Sequence, residues 1–106
     1  QFRRNDKRYI KMKRKIVPST KFKKDLKKAL KSKTFDINVF KDVVEKLEYD
    51  VPLDPKYKDH PLHGDYEGFR DCHIHPDWVL IYGKNDTNEL RILELVRLNS
   101  HSNLFK

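Results

Sequence analysis

Apolar residues follow a helical period in the first half of the chain and strand-like runs in the second half. The first helix is predicted from about Thr20 to Ser32, with Ser19 or Thr20 as its N-cap. Its apolar stripe consists of Phe22, Leu26, Ala29 and Leu30. A second helix is predicted from an Asp36 cap to about Tyr49, with apolar residues Ile37, Phe40, Val43, Val44 and Leu47. We expect the two helices to form an antiparallel pair over a common core.

Extended segments flank this helix pair. A strand is predicted over Lys13–Pro18, and three prolines between Val51 and Leu62 indicate a connecting loop. The later strands are predicted at Phe69–His75, Trp78–Gly83 and Leu90–Leu98, with a hairpin turn over Asn85–Asn88 and a short tail or helical turn from Ser100 to Phe105. The second of these strands is apolar almost throughout, as expected of a central strand covered on both faces. The order β-α-α-β-β-β predicts an α+β fold in which two helices pack on one face of a mostly antiparallel, twisted sheet.

The length of 106 residues fits one domain. Residues 1–11 are basic and aperiodic, so we interpret them as an N-terminal extension, native or not, ahead of a single domain over 12–106. The one cysteine, Cys72, allows no intramolecular disulfide, which fits a reducing compartment. No apolar run reaches the ~18 residues of a membrane span, and no secretory signal is recognisable. The expectation is a cytoplasmic protein.

Charge is distributed unevenly along the chain. Residues 1–33 hold 15 Lys and Arg against 2 acids, whereas residues 34–106 hold 9 against 14, so net charges of +13 and −5 sum to +8. A basic block of this kind suggests a polyanionic partner such as nucleic acid, or an acidic protein. The alternative is that the Lys-rich first helix is simply a solvated surface.

Histidines in three separate segments are the main candidates for chemistry: His60, His73 and His101. Histidine titrates near neutral pH and can act as a general acid or base. Cleavage of RNA at the 2′-OH needs such groups, together with a cation for the phosphoryl oxygens, for which the planar fork of arginine is suited. Asp77 can orient an imidazole or act as a base, and Trp78 and Phe105 can stack on unpaired bases.

Each of these residues also has a structural explanation. Trp78 can belong to the core, Asp77 can shape a β-turn, and Phe105 can pin the tail. Arg70 and Arg97 can form ion pairs with Asp71 or Glu94, and Cys72 is expected to be a small core residue. A metal site at His73 and His75, completed by His60, His63, His101 or Asp77, is a competing functional hypothesis, although no standard metal-binding motif is present.

Two blocks of residues resemble the YafQ branch of the RelE/ParE toxin superfamily. The first runs from Tyr57 through Lys58-Asp59-His60-Pro61-Leu62 to Gly64, and the second from Gly68 through Phe69-Arg70-Asp71-Cys72-His73 and Pro76-Asp77-Trp78 to Tyr82. The ending, with His101 four residues before Phe105, and the upstream Phe22-x-x-Asp25-Leu26-x-x-Ala29 are similar to the same branch. The resemblance covers about residues 14–106.

The resemblance implies a RelE-like fold and a toxin of a type II toxin–antitoxin pair. Such toxins are endoribonucleases that cut mRNA, in many cases on the ribosome, and a cognate antitoxin neutralises them. By motif position the catalytic group is His60, His73, Asp77 and His101, and the substrate-binding group is Arg70, Trp78, Arg97 and Phe105. Asp77 or His73 is the expected base and His101 the expected acid. No cofactor or metal is expected, and His63 and His75 lie outside the implied set.

Two alternatives come from other functional classes. The ParE branch shares the fold but poisons DNA gyrase, and it has no need of several titratable groups. A non-catalytic module that binds RNA or an antitoxin would carry its histidines incidentally. Both alternatives predict that a folded His101→Ala variant keeps its toxicity.

Overall fold

A computed structural model describes residues 13–75, 77–87 and 90–100, which form a five-stranded sheet with two helices. The strands are β1 (Lys15–Pro18), β2 (His60–Pro61), β3 (Arg70–His75), β4 (Trp78–Asp86) and β5 (Arg91–Ser100), and the helices are α1 (Thr20–Leu30) and α2 (Ile37–Glu48). Single 3-10 turns cover Pro55–Tyr57 and Gly64–Tyr66. No helix in the described ranges is long and apolar enough to cross a membrane. The predicted N-terminal extension lies outside the described residues.

The sheet has the order β1-β5-β4-β3-β2. Strand β1 runs parallel to β5, and the other neighbours are antiparallel. The predicted α+β fold and its order of main elements are confirmed, and β4 occupies the predicted central place. Its residues from Val79 to Tyr82 are buried, as predicted for a central strand.

Several boundaries differ from the sequence prediction; for example, β5 extends to Ser100, where a tail or helical turn was predicted. The predicted loop between Val51 and Leu62 contains β2 and a 3-10 turn, because proline is compatible with the first turn of a helix and with a sheet edge. Strand β4 continues three residues beyond Gly83, since its polar end still pairs with the start of β5. The hairpin is closed by the Thr87 N–H, which donates to the Leu90 carbonyl over 2.8 Å.

Both helices begin at the predicted side-chain caps. The Ser19 hydroxyl accepts from the Phe22 N–H over 2.9 Å and donates to the Val96 carbonyl over 2.8 Å, so the cap also ties α1 to β5. The Asp36 carboxylate accepts from the N–H groups of Asn38 and Val39. Such caps contribute about 1 kcal/mol each. They fix where each helix starts relative to the sheet.

The apolar stripe of α1 is rotated from its predicted position. Phe22 and Ala29 are buried as expected, but Leu30 is 55% exposed. Asp25 is buried in its place, because its carboxylate binds groups on β5 that are described below. The core between helices and sheet contains Phe22, Phe40, Val43, Val44, Leu47, Cys72, Ile74, Leu80, Tyr82, Leu93, Leu95 and Leu98, among others. Each buried large side chain stabilises the fold by about 1.5–3 kcal/mol.

A cluster of charged groups joins the start of β1, the end of α2 and the β4–β5 hairpin. The Asp50 carboxylate accepts from Arg14 Nε at 2.9 Å, from Lys84 Nζ at 2.7 Å and from Arg91. Arg14 itself is buried and also donates to Asp86. Burial would raise the pKa of Asp50, but these cationic donors hold the pKa well below its ordinary range.

The Asp50→Asn variant is expected to lose part of the acid sensitivity of the fold. A carboxyl group whose pKa is lowered on folding stabilises the fold above its unfolded pKa of about 3.9, and this stabilisation is lost as the pH falls. Urea unfolding between about pH 7 and pH 2 should therefore show a shallower acid decline in the variant. Asparagine also tolerates the backbone φ of +57° at this position.

A matched control is Asp42→Asn, which removes a carboxylate whose partner is the exposed Lys46 four residues along α2. This change should leave the acid decline as it is in the wild type. An unaltered acid decline in Asp50→Asn would contradict the assignment of this pH dependence to Asp50.

Candidate active site

The sheet register brings several candidate residues to the face opposite the helices. His60 pairs with Asp71, Asp71 with Ile81, and Ile81 with Arg97. In the next row His73 pairs with Val79. Directly opposed residues on antiparallel strands point to the same face, and Cys72 and Leu80 occupy the helix side. His60, Asp71 and His73 therefore share one face, which we call the histidine face.

His60 is held in a defined orientation at the edge of this face. Its Nδ1 lies 2.7 Å from the Lys58 carbonyl oxygen and 3.1 Å from Asp71 Oδ1. A carbonyl oxygen only accepts, so Nδ1 carries a hydrogen and Nε2 of the neutral ring holds the lone pair. Asp71 is 2% exposed and lies beneath an imidazole that is itself exposed. The Lys58 carbonyl thus orients the imidazole, and the buried Asp71 carboxylate lies next to it.

Asp71 is a functional candidate that the sequence reasoning treated only as a partner for Arg70. The available signal was its position two residues before His73, which places both on one face of a strand. The ion-pair prediction for Arg70 had the wrong partner, because Arg70 Nε donates to Asp59 at 3.2 Å. In the sheet, Arg70 lies directly opposite Tyr82, whose side chain belongs to the core on the helix side. The strand register therefore does not bring Arg70 to the histidine face.

Asp59 anchors the segment that carries His60. Its Oδ1 accepts from the Tyr82 hydroxyl over 2.6 Å as well as from Arg70. Burial, together with the hydrogen bond to Asp59, raises the pKa of Tyr82 well above its ordinary range. The phenol therefore stays protonated and remains a donor. This contact attaches the segment before β2 to the central strand.

Arg97 is bound to the first helix. Its Nε donates to Asp25 Oδ2 at 2.7 Å and its Nη2 to Asp25 Oδ1 at 3.3 Å. The Leu98 N–H, at the β5 edge beyond β1, donates to the same carboxylate over 3.0 Å. The hydrogen bond with Asp25 raises the pKa of Arg97, although burial opposes it. The predicted pairing with Glu94 was therefore wrong, and two of the five guanidinium hydrogens are committed to the fold.

Trp78 lies on the helix side of the sheet. Its Nε1 donates to Thr34 Oγ1 over 2.9 Å, and its ring meets the edge of Phe35 at a centroid distance of 5.3 Å. The half-buried indole packs against the core. This contact agrees with the structural explanation, and base stacking by Trp78 stays a prediction.

The remaining predicted residues are either exposed or outside the described part of the chain. Asp77 is exposed in the turn between β3 and β4. His101 and Phe105 lie outside the described residues. Cys72 is fully buried, as predicted, and burial raises the pKa of its thiol well above the ordinary range.

A cleft of about 480 Å³ opens along the free edge of β3, where β2 has ended. It is lined by Val39, Lys56, Tyr57, Lys58, His73, Ile74 and His75. A register shift between His73 and His75 interrupts the alternation that predicts a shared face. Both histidines nevertheless line this cleft, so it adjoins the histidine face. Lys56 was not among the residues predicted to form a site, and His75 was considered only as a metal ligand.

The described residues do not assemble a metal site. Within 13–75, 77–87 and 90–100, no group of three or more His, Cys, Asp or Glu side chains converges closely enough to hold an ion. His60 Nδ1 is also occupied by the Lys58 carbonyl.

Comparison with known proteins identifies the family. The family described as "Bacterial toxin of type II toxin-antitoxin system, YafQ" matches residues 14–106. The chain belongs to the YafQ family of toxins. It is 40% identical over 93 residues to the mRNA interferase toxin YafQ of Escherichia coli K12, covering 87% of this chain and 96% of that protein. The recognition of the family from the motif blocks is therefore confirmed.

Solved structures of bacterial toxins share the fold. A metal-bound toxin from Helicobacter pylori superposes with a TM-score of 0.76 at 47% identity, covering 89% of this chain and 100% of that chain. The toxin–antitoxin complex DinJ-YafQ of E. coli gives a TM-score of 0.73 at 40% identity, covering 89% of this chain and 99% of that chain. The RelE-like arrangement predicted for the chain agrees with these YafQ structures.

The Asp25→Ala variant is expected to lower the free energy of unfolding by about 2–4 kcal/mol. It leaves the Arg97 guanidinium and the Leu98 N–H without their shared acceptor. Asp25→Asn keeps an acceptor oxygen and should cost less. Urea unfolding measures both, with the surface change Asp42→Ala, expected at less than about 1 kcal/mol, as the control. Equal losses in Asp25→Ala and Asp42→Ala would show that the buried pair adds nothing to stability.

Proposed function

We propose that this YafQ-family toxin is an endoribonuclease that cleaves mRNA in the cytoplasm and is neutralised by a cognate antitoxin. The observation that carries the proposal is the pairing of His60 with the buried Asp71, on the same face as His73. The mRNA interferase name of the E. coli relative supports it. Because the family consists of toxins of toxin–antitoxin systems, we expect an antitoxin partner for this chain. The antitoxin in the DinJ-YafQ complex of E. coli is an example of such a partner.

The proposed reaction needs one base and one acid around a phosphodiester. The base takes the proton of the 2′-OH, and that oxygen attacks the neighbouring phosphorus. The bond to the 5′-oxygen breaks, the acid protonates this leaving oxygen, and a 2′,3′-cyclic phosphate remains. Each proton transfer by a positioned side chain contributes typically about 10²–10⁴-fold in rate.

The geometry of His60 supports an acid–base role for this residue. Its Nε2 holds the lone pair in the neutral ring, and the buried Asp71 carboxylate stabilises the imidazolium that forms when Nε2 takes a proton. His73 lies on the same face. The resemblance implies Asp77 or His73 as the base and His101 as the acid. Coupled groups of this kind can exchange the roles of acid and base from one substrate to another.

Substrate contact is proposed for two kinds of group. The guanidinium of Arg97 has hydrogens beyond those bound to Asp25, and we propose that they bind phosphoryl oxygens. The exposed lysines of α1 are available for phosphates of ribosomal RNA or for acidic residues of an antitoxin: Lys21, Lys23, Lys24, Lys27 and Lys28. Through these lysines, we propose the ribosome as a further partner.

We propose that the cleavage is independent of metal ions. RNA supplies its own nucleophile, and the acid and base above account for both proton transfers. Related toxins from H. pylori have been solved with a bound metal, one of them with copper in a mutant. The proposed reaction itself contains no step that uses a metal ion.

Cleavage of a defined mRNA in the presence of a chelator tests this proposal directly. Wild-type protein should give products with 2′,3′-cyclic phosphate or 3′-phosphate ends, and His60→Ala and His101→Ala should each reduce the rate by about 10²-fold or more. The reactions are run with and without ribosomes, and the product ends are mapped. Cleavage only with ribosomes would identify translated mRNA as the substrate.

Two results would contradict parts of the proposal. A folded wild-type protein that cuts no RNA under any condition would favour gyrase poisoning or pure binding. Activity that disappears in chelator and returns with an added metal would show a metal-dependent reaction. Circular dichroism and antitoxin binding confirm that each variant is folded.

The Asp71→Asn variant is expected to lower kcat by about 10²-fold with little change in KM. Asparagine preserves the shape of the side chain but cannot stabilise the imidazolium of His60. Single-turnover kinetics on the same mRNA measures the effect, with Asp42→Asn as a surface control that should match the wild type. An unchanged kcat in a folded Asp71→Asn variant would remove Asp71 as the positioning residue of His60.

A further inference from the structure

The cleft beside β3 has a positively charged rim that the proposed reaction does not use. Lys56 and Lys58 line it from the 3-10 turn and the residue after it, and both are exposed. Neither ammonium group forms an ion pair with a described residue, whereas Lys46 and Lys84 are paired with Asp42 and Asp50. The Lys56 ammonium lies 5.3 Å from the ring centroid of Tyr57. The cleft thus presents two cationic groups without anionic partners among the described residues.

The backbone at Lys58 holds one of these cations in an unusual conformation. Its φ of +50° and ψ of +43° lie in the left-handed region, which disfavours a side chain with a Cβ. Glycine would adopt this backbone conformation at a lower energetic cost. The conformation also directs the Lys58 carbonyl to His60 Nδ1. One residue therefore orients the imidazole of His60 through its backbone and lines the cleft with its side chain.

The interior of the cleft combines apolar surface with a buried ring nitrogen. Val39 and Ile74 supply aliphatic surface from α2 and β3. The Nε2 atom of His75 is buried and has no hydrogen-bond partner among the described residues. Buried polar atoms are normally paired, and a ligand is one way to pair them. Apolar walls with a few polar groups at defined points are typical of small-molecule and nucleotide sites.

We propose that this cleft binds one nucleotide unit of the RNA strand next to the cleaved bond. Lys56 and Lys58 bind its phosphate, the ribose and base lie on Val39 and Ile74, and His75 Nε2 donates or accepts a hydrogen bond at its polar edge. The volume of about 480 Å³ suits a ligand of this size. His73 lines the cleft and belongs to the histidine face, so a strand bound here continues towards His60. The inference rests on the proposed function, since it names the part of the RNA that this surface recognises.

Binding of a trinucleotide methylated at every 2′-oxygen tests the inference without requiring cleavage. Fluorescence anisotropy of the labelled trinucleotide is measured over a range of salt concentrations. The Lys56→Gln/Lys58→Gln variant should bind about tenfold more weakly. The slope of log affinity against log salt concentration should also be shallower in this variant, by about 0.7–1.4. For single-stranded nucleic acid, each phosphate contact that is removed reduces this slope by about 0.7.

Two further variants separate the cleft from general electrostatics. Lys31→Gln/Lys33→Gln removes the same charge from exposed residues just after α1 and should change trinucleotide affinity by less than about twofold. His75→Leu should weaken binding, while His75→Gln, which keeps a polar nitrogen near the same place, should recover part of it. Thermal unfolding confirms that all variants fold.

Several outcomes would overturn the inference. These are a wild-type protein that does not bind the trinucleotide, equal losses in the two double-lysine variants, or no loss in Lys56→Gln/Lys58→Gln. Loss of antitoxin affinity alone in that variant would instead make the cleft a protein-docking surface. Failure of the ribonuclease proposal is distinguishable, because the wild type would then bind the trinucleotide and leave unmodified mRNA intact.

Discussion

The arrangement of the site depends on one buried contact, the hydrogen bond from the Tyr82 hydroxyl to the Asp59 carboxylate. Strand β2 contributes only two residues, too few to hold its segment by ladder hydrogen bonds alone. Asp59 supplies the missing attachment, since its carboxylate binds both Tyr82 on the central strand and Arg70 on β3. His60 follows Asp59 directly, and Lys56 of the 3-10 turn and Lys58 precede it. The position of the imidazole and that of the cleft rim are therefore set by the same carboxylate.

Carboxylates have a similar role elsewhere in this basic protein. Asp25 accepts a hydrogen bond from the Leu98 N–H at the edge of β5 and also binds Arg97. Asp71 lies beneath His60. Asp50 gathers three cationic side chains from separate parts of the chain. Asp25 and Asp50 each accept hydrogen bonds from segments distant in sequence. These acids thus use their negative charge within the fold, whereas the exposed lysines of α1 remain available to a polyanion.

The sequence predicted what is decided locally. The caps at Ser19 and Asp36 and the apolar central strand follow from neighbouring residues, and the motif blocks were enough to predict the family and the RelE-like sheet. The partners of Arg70 and Arg97 were predicted wrongly, because nearby acids were preferred over acids that folding brings from 11 and 72 positions away. Leu30 was placed in the core for a related reason: periodicity does not show that a buried carboxylate has taken the inward position. The predicted roles of His101 and Phe105 stay predictions.

Strand β1 pairs in parallel with β5, so the first strand of the fold is hydrogen-bonded to the last. During synthesis β1 and both helices leave the ribosome well before β5, and until then β1 has no neighbour in the sheet. Asp25 likewise cannot form its ion pair until Arg97 on β5 has been synthesised. The sheet that presents the histidine face is therefore completed only once β5 has emerged. The ribosome must therefore synthesise nearly all of the described residues before the new protein molecule can fold completely.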